Sequence, residues 1–240
     1  MRKLGSYAVV ALGLWSIAFL TAVSLAIIGS DASANDQAII KMALSLVIVW
    51  VIMCGGAMHL FRDRFATFSR SVPIGWKVKF FVSVLVLMLV EEAIATSITN
   101  LAPAFGGTFG EAYITASSNF ITVIVFHSVV MFVPFILIWI YLLTRYDFTV
   151  VQVFFLFGLL GTIAESFLSP IALVSGFWFF IYGLMIYLPA YALPKRANLK
   201  RPTLLAYGIA IILPFIVAAP LSLIVLKIGE LVGAKSFLGA

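Results

Sequence analysis

A chain of 240 residues with 64% hydrophobic residues, 10% charged residues and a mean hydropathy of +1.20 is no soluble domain, where charged residues approach about a quarter. Its net charge of +6 does not argue for nucleic acid, because the basic residues sit in short segments between apolar runs and act there as topology signals. The lone cysteine, Cys54, lies inside such a run and permits no internal disulfide, and zinc sites built on Cys and His are nearly excluded because His59 and His127 are the two histidines.

In chain order, "MRK", an apolar run and "SDASAND" imitate a signal peptide with an A-x-A site. The run from Tyr7 to Gly29 covers 23 residues, however, against about 7–15 in a signal h-region, so a first transmembrane helix is expected. Further apolar segments follow, giving seven in all at roughly 6–29, 37–61, 76–99, 119–144, 149–168, 170–193 and 202–228. The link "SFLSPI" between the fifth and sixth is very short, so one broken helix is the alternative to that pair. Pro214 and Pro220 should kink the last helix. The expectation is an all-α integral membrane protein: a single polytopic domain over 1–240, a bundle of about seven transmembrane helices, multi-pass in the cell membrane.

Loop charge supplies the orientation. Arg2 and Lys3, Arg62, Arg64, Arg70, Lys77 and Lys79, Arg145, and Lys195, Arg196, Lys200 and Arg201 occupy alternate connections, while 30–36, 100–118 and 168–170 hold no Lys or Arg. The positive-inside rule then puts the N-terminus in the cytoplasm and the C-terminus outside. The cluster at 195–201 is read as a topology determinant, with recruitment of anionic lipid as the second reading.

Polar residues inside the apolar runs carry the functional signal. Glu91 and Glu92 lie about 15 residues into the third segment, roughly 22 Å along it; His127 lies roughly 12 Å down the fourth; Glu165 is close to the outer end of the fifth. All three levels fall in the outer half of the bilayer. Glu92, Ala95, Thr96, Thr99 and Asn100 form a small-and-polar stripe expected to pack against other helices, whereas Glu91 falls on a more apolar face. Gly158, Gly161, Thr162, Glu165 and Ser169 form a second stripe suited to close helix approach. The glycine-rich segment "APAFGGTFGEAYITASS" is either a lid over the site or an ordinary exposed loop.

Intramembrane ionisable groups are functional by default. Glu91, Glu92, His127 and Glu165 are the candidate catalytic residues. A carboxylate can take a proton from water while the imidazole holds the water or an oxyanion. Glu92, His127 and Glu165 could also hold a divalent metal, although no cofactor is the preferred expectation. Alternatively the carboxylates serve a proton- or cation-coupled transporter, or are neutralised by Lys41 and Lys227 in an accessory subunit of a membrane complex. The expected partners are membrane lipids, a lipid or membrane-peptide substrate for an enzyme, and other subunits in the accessory case.

The order of a Glu-Glu pair, a His 35 residues on and a third polar group 38 beyond that resembles the CAAX-protease and bacteriocin-processing family of intramembrane glutamate proteases. "FFLFGLLGTIAESFLSPIALVSGFWFF", residues 154–180, has the cadence of that family's later segment. The resemblance covers about residues 85–180 and implies that Glu91 or Glu92 activates water with help from His127. The family's Arg four positions after the pair is Thr96 here, its Phe four before the His is Val123, and no histidine follows His127 to supply its last motif.

Overall fold

The computed structural model describes residues 2–231, with side chains from residue 7 onward other than Glu230. The cations Arg2 and Lys3 therefore lie outside the described side chains. Every long element is a helix, and the described residues contain no strand. Helix α1 is Arg2–Ile28, α2 is Ala34–Ser71 and α3 is Trp76–Asn100. Helices α4, Phe120–Phe126, and α5, Val129–Arg145, follow the 101–118 connection. Then come α6, Val150–Ser166, α7, Phe177–Tyr191, and α8, Leu204–Leu231.

Among the described residues, three helices are long and apolar enough to cross a membrane, at Tyr7–Ile28, Ala34–Ser71 and Leu204–Gly229, and the bent pair α4–α5, taken as one span, brings the number to four. This is fewer than the seven expected. The fifth and sixth apolar segments form helices of 17 and 15 residues, roughly 25 and 22 Å long against about 30 Å of hydrocarbon. Their ends are fixed by local chemistry. Thr149 and Gln152 close a capping box at the start of α6, and α7 begins at Gly176, whose φ of +75° favours glycine. A Cβ there would also lie 2.7 Å from Ser16 Oγ on α1.

Helix α2 overruns its apolar segment by ten residues, 62–71. The segment "RDRFATFSRS" contains no helix breaker before Pro73. Its polar groups also find partners, since Tyr191 Oη donates to Asp63 Oδ1 at 2.6 Å and Arg62 lies over the Tyr191 ring. The middle of α2, Val47–Cys54, winds as a π-helix, and there buried Trp50 donates from Nε1 to Ile181 O at 3.0 Å.

Helices α6 and α7 pack most closely among the described helices, as two separate helices and not one broken helix. A Cβ on Gly158 would lie 2.5 Å from Phe179 O, and one on Gly161 would lie 2.0 Å from Tyr182 Cγ. The small-residue stripe thus lets the backbones approach as its spacing implied. The core extends from this pair through Phe157, Leu160, Ile181 and Met185 to Trp139 of α5 and Val84 of α3, all buried. The basic connections meet at one end of the bundle: Lys79 Nζ donates to Ser69 O at 2.6 Å, Asp147 N to Lys200 O at 2.8 Å, and Arg196 Nη1 to Leu143 O.

The segment 101–118 is packed down at the opposite end. Asn35 of α2 donates to Glu111 Oε2 at 2.9 Å and accepts from Thr108 N at 2.8 Å. Thr99 Oγ1 of α3 accepts from Ile114 N at 3.3 Å and meets Thr115 Oγ1 at 3.2 Å. Ala102 and Ala112 are buried. The segment therefore forms a fixed cap over the ends of α2 and α3.

Candidate functional site

Helix α3 turns the stripe Val84, Met88, Glu91, Ala95 and Ile98 into the bundle, and all five side chains are buried. Both glutamates turn inward, and Glu91 is the more deeply buried of the pair. Glu91 is 5% exposed, whereas Glu92 is half-buried. The "more apolar face" that carried Glu91 is the bundle-facing one, because apolar character does not separate lipid-facing from helix-facing sides in a membrane protein. Thr96 and Thr99 are buried as expected, but Asn100 is exposed and donates to Ser118 O at 3.1 Å.

Glu165, near the C-terminal end of α6, faces Glu91 and Glu92 within electrostatic reach of both. Tyr182 of α7 donates its phenolic hydrogen to Glu165 Oε1 and lies within electrostatic reach of all three carboxylates. Tyr182 is itself buried and stacks on Phe132 of α5, their centroids 5.2 Å apart. The contact between Gly161 and Tyr182 explains how the phenol reaches Glu165: no side chain stands between them on α6.

The fourth apolar segment does not run straight. Helices α4 and α5 meet at 46° across His127 and Ser128. The break needs no glycine or proline. The N–H groups of His127 and Ser128 both donate to Val123 O, at 3.1 and 2.9 Å, and His127 adopts φ −130°, ψ −74°, outside the helical region. Ser128 occupies the N-cap position of α5 without a side-chain capping bond; its hydroxyl donates to Val123 O at 3.4 Å and lies beside the Glu92 carboxylate. Glu92 thus faces the N-terminal end of a helix, where backbone N–H groups favour negative charge. His127 is half-buried at the same break.

The structure therefore brings Glu91, Glu92 and Glu165 together and sets His127 beside the residue that meets Glu92. Two participants escape a reading of the sequence. Tyr182 supplies the one hydroxyl in the run "FWFFIY", 177–182, and that was the available signal. Ser128 directly follows His127, but nothing in the sequence marks the break. Among the described residues no group of three His, Cys, Asp or Glu side chains is placed to hold a metal ion, so Glu92, His127 and Glu165 do not form the metal set considered from spacing. Lys41, one of the expected counter-ions, donates to Phe105 O in the cap at 3.3 Å. One turn from Glu92, Thr96 Oγ1 is buried with no hydrogen-bond partner in the protein.

Chemically the set combines three acids, a phenol, a hydroxyl and a helix N-terminus in one part of the bundle. No protein family, curated protein or solved structure matches the chain.

Proposed function

We propose that this protein is a multi-pass hydrolase of the cell membrane, in which the carboxylate cluster activates water against a lipid or a membrane peptide. The convergence of Glu91, Glu92 and Glu165 on Tyr182 carries the reading. Neighbouring carboxylates disfavour one another's ionisation, so one site can contain an acid and a base together. In the proposed step Glu92 takes a proton from water as the water oxygen bonds to the carbonyl carbon. A protonated neighbour, Glu165 or Glu91, returns a proton to the departing alkoxide or amine. Tyr182 positions Glu165, and His127 steadies the water or the oxyanion. The unpartnered Thr96 hydroxyl supports a small polar guest beside Glu92, since buried hydroxyls otherwise find partners. The order Glu91–Glu92 then His127, which resembles the CAAX-protease family, supports the same assignment.

The chain crosses the membrane seven times in this reading, with α3, α6 and α7 as further spans, the N-terminus in the cytoplasm and the C-terminus outside. The gathering of the basic connections at one end supports that orientation. The cluster then sits in the outer half, below the 101–118 cap.

One observation favours a second reading. A helix broken at His127–Ser128 opposite a carboxylate also suits a proton- or cation-coupled transporter, whose ion sites form at discontinuous helices. Reconstituted vesicles separate the two. Wild-type protein is given labelled membrane peptides and phospholipids, with products read by mass spectrometry, while an enclosed dye reports proton flux after a pH jump. Hydrolysis that disappears in Glu92→Gln supports the enzyme. Proton flux lost in the same variant, without products, overturns it in favour of transport.

A further inference from the structure

The basic end of the bundle contains a cavity of roughly 230 Å³ between the last turn of α2, the start of α3 and the end of α7. Arg70 and Lys79 contribute its cations, Ser69 and Ser83 its hydroxyls, and Trp76 and Phe80 an aromatic wall. None of its lining residues is acidic. Lys79 Nζ already donates to Ser69 O at 2.6 Å and Val72 O at 3.3 Å. An ammonium has three hydrogens, which leaves one for a guest. Arg196 lies over Trp76 at 5.4 Å from its centroid and adds positive charge to the rim.

We infer that this cavity binds the headgroup of an anionic phospholipid. Positive charge, hydroxyl donors and a tryptophan at a bundle end match the requirements of a phosphate at the membrane boundary. The inference is independent of the carboxylate cluster, which lies about three turns further along α3 from Lys79. Arg70 is exposed and Lys79 half-buried, so one cation is free to meet the headgroup while the other is fixed by α2.

Native mass spectrometry of the full chain, released from micelles containing phosphatidylglycerol and phosphatidylcholine with identical acyl chains, tests this directly. The wild type should retain phosphatidylglycerol preferentially. Arg70→Gln should reduce that preference roughly fivefold, the effect of one surface cation, and Ser83→Leu should abolish it by filling the cavity. Arg64→Gln, an exposed cation over the Phe61 ring and outside the cavity, should leave it unchanged. Equal retention of the two lipids by wild type overturns the inference, as does undiminished preference in both cavity variants. Displacement of the lipid by millimolar inorganic phosphate would also overturn it, marking a site for the free anion. Circular dichroism of each variant confirms that the helices are intact.

Discussion

At Thr96 a hydroxyl is buried without a protein partner one turn from Glu92. Replacement by valine keeps the shape and removes the polar group, a change that is nearly neutral or stabilising where the hydroxyl has no other task. Thr96→Val should therefore leave the melting temperature unchanged or raise it, while turnover falls if the hydroxyl steadies the attacking water; unchanged turnover would remove Thr96 from the site. Tyr182→Phe acts differently, because it leaves Glu165 without its donor. It should lower stability by about 1–3 kcal/mol in chemical denaturation and also reduce turnover. The contrast between these variants separates an occupied site from a packing arrangement.

The hairpin of α6 and α7 depends on absent side chains. Gly158→Ala places a methyl group against the Phe179 backbone and should destabilise the protein by about 1–3 kcal/mol, since backbone cannot move aside as a flexible side chain can. Gly208→Ala, where a Cβ meets nothing within 4 Å, is the matched control and should not destabilise. The close approach was legible in the sequence because glycines three apart on an apolar helix have few other uses. Helix α3 was legible too, within a residue of its ends. The overrun of α2 was not, since a charged segment reads as a loop unless the partners of Arg62 and Asp63 on the distant α7 are known. The break at His127–Ser128 was equally hidden: it arises from shared acceptance at Val123 O, and no residue type announces it. Depth along helices could be counted, so the carboxylates were expected at one level. The pattern placed Glu92, Thr96 and Thr99 against other helices, as they are, but that Glu91 is buried more deeply still depends on the neighbours of α3.

For the molecule as a whole, the alternation of charged and uncharged connections makes a topology that can be tested by labelling. In a Cys54→Ala background, Ser30→Cys should react with a membrane-impermeant maleimide added outside intact cells, while Arg64→Cys and Lys195→Cys should react after the inner face is opened. Labelling of Ser30 and Arg64 from the same side would contradict the orientation and displace the cluster from the outer half. The fixed 101–118 cap also bears on the route of a substrate. With Thr99, Asn100 and Asn35 all tied to it, entry is expected sideways, between helices, and a disulfide joining the cap to α2 should leave turnover of a lipid substrate intact.

On the proposed function, the cluster of Glu91, Glu92 and Glu165 moves water into a substrate bond. The most direct measurement is isotope incorporation: reconstituted protein supplied with labelled membrane peptides and phospholipids in water enriched in oxygen-18, with products weighed by mass spectrometry. One heavy oxygen is expected in the acyl or carboxyl product from wild type and none above background from Glu92→Gln or Glu165→Gln folded to the same helix content. Products of equal amount and mass from wild type and both variants would contradict it.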